Sequence, residues 1–109
     1  DLLTTAAEIN HRTAPGEPIF AYPSSPLLYV LAERPNPTRF DHLNPGAATP
    51  DQIQEVIDAL GQVRLLVVSD YWRAAWGAPR DNAALETWLF ERYHEVAHFG
   101  QYSVFVRTE

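Results

Sequence analysis

The chain has no cysteine, no methionine and no lysine. Without cysteine it can form no disulfide, bind no metal through thiolate and offer no thiol nucleophile, an absence compatible with either side of a membrane. No apolar run approaches the roughly 18 residues that a bilayer span requires. Glycine is scarce, five in 109 residues, and no Gly-rich loop follows a strand, which argues against a dinucleotide cradle. GxSxG is absent too, so the serines form no nucleophile motif. Basic charge is short: eight arginines stand against 14 acidic residues, a formal net charge of -6. That balance disfavours nucleic acid and electrostatic docking to anionic lipid.

What remains is a globular composition, 46% hydrophobic and 20% charged over 109 residues, enough for one domain with one core. The chain opens inside what reads as a helix, with Leu2, Leu3, Ala6 and Ile9 on its apolar face. We therefore expect a single domain, 1–109, excised from a longer protein, with a processed or trimmed N-terminus as the alternative. Ala14-Pro15-Gly16 breaks that first helix. Pro18 to Tyr22 reads as a short strand. Ser25 caps a helix with Pro26 at its first position, running to about Glu33 and placing Leu27, Leu28, Val30 and Leu31 for burial. Thr38 to Asp41 reads as a second short strand after Pro35-Asn36-Pro37. Thr49-Pro50-Asp51-Gln52 is a capping box, followed by Ile53, Val56, Ile57 and Leu60 at helical spacing. Val63 to Ser69 is nearly continuously apolar, as in a strand covered on both faces. An aromatic and Arg-rich loop precedes a helix expected from about Asn82 to His98. Tyr102 to Arg107 alternates like an outer strand. Strands alternating with helices predict a small three-layer α/β sandwich, Rossmann-like, with a mostly parallel sheet of three or four strands.

Four constellations bear on chemistry. His94-Glu95-Val96-Ala97-His98 matches HExxH, in which two histidines one helical turn apart hold zinc and the glutamate acts as general base. On a helix, however, His94 and His98 fall opposite the stripe of Leu85, Trp88, Leu89, Val96 and Phe99. The positions that would extend the motif are Gln101 and Val104. A solvated helical face is the simpler reading, and a small zinc hydrolase the alternative. Asp70, Tyr71, Trp72 and Trp76 lie in the aromatic loop at the end of the apolar strand, where they would stack on a sugar or pack against a neighbouring domain. A free-standing interaction module built on Trp72 and Trp76 is a further alternative. Tyr22, Ser24 and Ser25 surround a strand-to-helix turn suited to an anion, although helix capping alone accounts for Ser25. Arg39 and Asp41 would form an ion pair that fixes the Pro-rich segment. No catalytic residue, resident metal or cofactor is assigned.

Pro18-Ile19-Phe20-Ala21-Tyr22-Pro23, Pro26-Leu27-Leu28-Tyr29-Val30-Leu31-Ala32 and Asn36-Pro37-Thr38-Arg39-Phe40-Asp41 together resemble the C-terminal soluble region of bacterial polytopic GT-C membrane glycosyltransferases. These are similar to dolichyl-phosphate-mannose–protein mannosyltransferases and aminoarabinose lipid A transferases. The opening helix and the close, Tyr93 through Val104, extend the likeness over almost the whole chain. The resemblance implies an accessory domain on the outer face of the bacterial cell membrane, within a multi-pass protein that uses a polyprenyl-phosphate sugar. Such a domain would be non-catalytic by itself and would assist acceptor binding or cover the active site. Its partners would be the membrane-embedded part of its own chain and a glycan or lipid-linked sugar. The family's catalytic acid lies in a membrane-proximal loop with no counterpart here.

Overall fold

The computed structural model describes residues 1–40, 49–69 and 83–108. Its elements run α1 (Leu2–Arg12), β1 (Phe20–Tyr22), α2 (Pro26–Ala32), α3 (Pro50–Ala59), β2 (Leu65–Ser69), α4 (Ala83–Arg92), β3 (Tyr93–Phe99) and β4 (Tyr102–Arg107). The four strands form one sheet in the order β1-β2-β4-β3. β1 and β2 are parallel, whereas β4 runs antiparallel to both of its neighbours. The α/β class is as the sequence implied, but the sheet is mixed and mostly antiparallel rather than mostly parallel. The one parallel pair among the described residues is β1–β2, so only that crossover has the connectivity of a doubly wound fold.

β2 is the centre. All five of its residues are buried, and its side chains alternate between two apolar clusters. Leu66 and Val68 join Phe20, Tyr22, Ile53, Val56, Leu85, Leu89 and Tyr93 on the α3/α4 side. Leu65 and Val67 join Ala6, Ile9, Ile19, Ala21, Leu28 and Val104 on the α1/α2 side. The period of two thus sorts one continuous apolar run into two cores, with a pair of helices over each face. α3 begins as its capping box requires: Thr49 Oγ1 accepts from the Gln52 amide at 3.2 Å, and Gln52 Oε1 accepts from the Thr49 amide at 2.9 Å.

The last third departs from expectation. The helix stops at Arg92, and the chain passes directly into β3, which forms a hairpin with β4. Leu85, Trp88 and Leu89 do pack against the α3/α4 core, but Val96 and Phe99 pack into the opposite one. No single helical face could serve both. Tyr, Val and Phe are strand formers, and Gly100-Gln101 supplies a two-residue turn with Gly100 at φ 59°, as a type II′ hairpin needs at its first central position. Tyr93 locks the switch point by donating its buried hydroxyl to the Val63 carbonyl. β4 is therefore interior, not outer, and β3 is an edge strand. Thr38–Phe40 is not a strand; Asn36 instead closes a local loop, its Nδ2 donating to the Phe40 carbonyl at 2.8 Å.

The two sheet edges are protected differently. The outward amides of β1 are both used: Ile19 donates to the Pro35 carbonyl at 3.1 Å, and Ala21 to the Tyr29 hydroxyl at 2.8 Å. β3 carries His94, Glu95 and His98 and a bulge between Glu95 and Ala97, features that discourage edge-to-edge pairing.

Gly100 tests the hairpin. A Cβ there would meet the Asp1 carboxylate at 1.9 Å and would hold an L residue at positive φ. Gly100→Ala is expected to cost about 1 kcal/mol or more in urea denaturation. An unchanged midpoint would contradict this turn.

Candidate functional site

The HExxH residues lie on a strand, and the bulge decides their geometry. His94 pairs with Val106 and His98 with Ser103. Val106 and Ser103 are three residues apart on an unbulged strand, so they face opposite sides of the sheet. Val96 is the extra residue that changes the parity of β3, and the two imidazoles accordingly stand on opposite faces. Four strand steps also separate their Cα atoms by about 13 Å, against about 6 Å on a helix. The helical premise of the zinc reading is thereby corrected: His94 and His98 do not aim at a common point. Among the described residues no group of three His, Asp or Glu side chains converges as a metal site.

The bulge does bring Glu95 and His98 to the same side. His98 Nδ1 lies 2.8 Å from Ser103 Oγ and 3.3 Å from Glu95 Oε2. The residue types are those of a nucleophilic triad, but the wiring is not. A triad places serine on one imidazole nitrogen and carboxylate on the other, so that a proton can pass through the ring. Here both contacts fall on Nδ1. His94 Nδ1 makes only a long contact to Thr108 Oγ1 at 3.4 Å.

At the carboxyl ends of β1 and β2, where open α/β sheets usually bind ligands, the side chains are engaged in packing. Tyr22 is 1% exposed and donates its hydroxyl to Glu86 Oε2 of α4 at 2.8 Å. Ser24 is buried. Ser25 is the N-cap of α2, yet its side chain makes no capping bond. Ser69 is buried, its Oγ 3.5 Å from Gln101 Oε1. Asp70, Tyr71, Trp72 and Trp76 fall outside the described residues, as does Asp41. Arg39, expected beside Asp41, gives its fork to Glu55 of α3, Nε to Oε2 at 2.6 Å and Nη2 to Oε1 at 3.1 Å. Its guanidinium also stands over the Phe40 ring at 4.5 Å. This exposed bridge ties the Pro-rich segment to α3.

The opposite, amino end of β1 and β2 holds a feature that the sequence pattern did not reveal. A cavity of about 610 Å³ is lined by His11, Arg12, Glu17, Arg64 and Arg107, among others. Its residues come from the end of α1, the approach to β1, the start of β2 and the end of β4, so no local motif marks it. Glu17 and Arg64 form a two-pronged bridge at 3.1 Å on each prong, and Glu17 Oε1 also accepts from the Ala14 amide at 3.0 Å. Burial is the largest single influence on the Glu17 carboxyl and pushes it upward. The Arg64 fork, the Ala14 amide and the charges of Arg64 and Arg34 together outweigh burial and hold it below its ordinary value. Arg107 closes the floor: Nη1 donates to the carbonyls of Leu60, Gly61 and Val63 at 3.0–3.2 Å, capping the end of α3.

No protein-family model matches the sequence, and no curated protein matches it significantly.

Two outcomes follow from this geometry. A carboxyl depressed by folding contributes stability above its ordinary pKa and loses it as pH falls through its folded-state value. Glu17→Gln is expected to lower stability at neutral pH and to flatten the loss on acidification below about pH 5, measured by urea denaturation across pH. An acid limb identical to that of the wild type would contradict this. For HEVAH, metal analysis after dialysis is expected to show no stoichiometric zinc that His94→Ala and His98→Ala each abolish. Zinc retained by the wild type and lost in both variants would contradict the opposed faces.

Proposed function

We propose that the chain is an accessory extracytoplasmic domain of a polyprenyl-phosphate-sugar-dependent membrane glycosyltransferase, docking against the membrane-embedded part of its parent. One observation carries the reading beyond the resemblance of the segment 17–46. Three residues whose sequence pattern marks them for burial are left in solvent: Leu3 is 72% exposed, Leu27 52% and Val30 68%. All three belong to the α1/α2 layer. Leu27 and Val30 are three apart on α2 and share a face. Isolated exposed leucines are common on soluble surfaces; here the two on α2 sit in the stretch that carries the resemblance.

The two helices of that layer are tied to each other at their C-terminal ends. Glu33 ends α2 in the left-handed region, φ 54° and ψ 49°, with its amide on the Tyr29 and Val30 carbonyls. Arg34 then reaches back to the end of α1, Nε to Thr13 Oγ1 at 2.9 Å and Nη2 to the Thr13 carbonyl at 3.3 Å. Burying a fully exposed Leu or Val contributes about 1.5–3 kcal/mol, and covering these partly exposed side chains about half to three quarters of that each. No helix among the described residues is long and apolar enough to cross a membrane, so on this reading the membrane-spanning segments lie elsewhere in the parent.

The test is a pair of substitutions in the parent protein. Leu27→Glu with Val30→Glu is expected to leave the thermal midpoint of the domain within a few degrees, since neither side chain is buried. Sugar transfer by the parent should fall about tenfold or more. Wild-type transfer in the double variant would refute docking through this face.

A further inference from the structure

We propose that the cavity between the end of α1 and the amino ends of β1 and β2 is a binding site for a phosphate-bearing ligand. This site does not rest on the membrane-enzyme reading and uses none of the exposed apolar residues on which that reading draws.

The whole chain carries net charge -6, yet the cavity is lined by three of its eight arginines, with His11 beside them and Glu17 as the sole acidic lining residue. Glu8, paired with Arg12, and Glu17, paired with Arg64, offset two of the three guanidinium charges, which leaves a local excess of one cation on an otherwise acidic molecule. Arginine is also the side chain whose planar fork matches phosphate oxygens, and it remains charged at any accessible pH.

Arg12 and Arg64 are anchored without being used up, whereas Arg107 is engaged with the carbonyls of Leu60, Gly61 and Val63. Arg12 Nε is held by Glu8 Oε2, and neither Arg12 Nη1 nor Nη2 has a protein acceptor among the described residues. Arg64 spends Nε and Nη2 on Glu17 and leaves Nη1 without one. Each head group is therefore already oriented while keeping donors for a ligand, so little rotamer freedom remains to be lost on binding. The cavity, about 610 Å³, falls within the range of small-molecule sites.

Glu17 occupies the Arg64 fork as an internal carboxylate, in the place a ligand oxyanion would take. It is a competitor. Neutralising it should strengthen binding, an effect that a purely structural Glu17–Arg64 bridge would not produce.

The experiment titrates inorganic pyrophosphate into the ¹⁵N-labelled chain at constant ionic strength and follows amide and arginine Nε signals. Saturable shifts at Gly61, Gln62, Arg64 and Arg107 are expected, weakened about tenfold in Arg64→Gln and in Arg12→Gln and strengthened several-fold in Glu17→Gln. Arg12 is a surface residue, so its variant remains informative if Arg64→Gln unfolds. Vesicles of phosphatidic acid in phosphatidylcholine, against phosphatidylcholine alone, separate the sources. Pyrophosphate binding without sedimentation identifies a soluble phosphate, and sedimentation lost in Arg12→Gln identifies a headgroup; either supports the site. Shifts spread over all arginines, affinity unchanged in the variants, or no response to either probe in the millimolar range would overturn it.

Discussion

Everything in this molecule depends on the burial of β2 on both faces. Leu65, Leu66, Val67, Val68 and Ser69 are each about 1% exposed or less, and a strand in that condition needs an apolar layer above it and another below. The α1/α2 pair supplies one and the α3/α4 pair the other. It also needs hydrogen-bonded neighbours at both edges, which β1 and β4 provide. Because side chains alternate, each neighbouring strand must donate apolar residues to both layers as well. Phe20 and Tyr22 therefore go one way while Ile19 and Ala21 go the other.

That constraint explains where chemistry is and is not available. The carboxyl ends of β1 and β2 end in buried groups: the Tyr22 hydroxyl is committed to Glu86, and Ser24 and Ser69 are enclosed. The far edge of the sheet is β3, where His94, Glu95 and His98 are tolerated because they are exposed. Polar residues at an edge serve to prevent association, and the bulge at Val96 turns the two histidines to opposite faces. The amino end differs. There α1, the turn after α3 and the last residues of β4 surround an open space, and their arginines fill its rim. Arg107 links that rim to the core, its guanidinium lying 5.5 Å from the Trp88 ring and 5.4 Å from that of Tyr93 while it caps α3.

Much of the fold was legible because its signals are local. The Thr49 capping box, the Pro26 helix start, the apolar run of β2 and the alternation of β4 each state their own structure. The failures have a common cause: they turn on pairing between distant segments. Residues 82–98 fit a helical period well enough to place the strand-forming Val96 and Phe99 on one stripe with Leu85, Trp88 and Leu89, although β3 starts at Tyr93. The Gly100-Gln101 turn between two aromatic-rich segments was the contrary signal. Sheet direction followed from the same error, since a hairpin makes β4 antiparallel to β3 and a helix would not. Leu3, Leu27 and Val30 show a different limit. Helical spacing marks them for burial, but the structure leaves them exposed: an apolar period does not say how wide a stripe the neighbouring elements cover. The arginine-lined cavity had no sequence signature, because its residues lie up to 96 positions apart.

Two features carry the proposals, the exposed Leu3, Leu27 and Val30 of α1 and α2 and the arginine-lined cavity. The membrane-enzyme account concerns the first. Its most direct test is the hydropathy of the coding sequence upstream of the codon for Asp1. The account predicts several apolar spans of about 20 residues each, with an acidic residue in the first outward-facing loop. A start codon immediately before Asp1, with no spans anywhere in the gene, would contradict it.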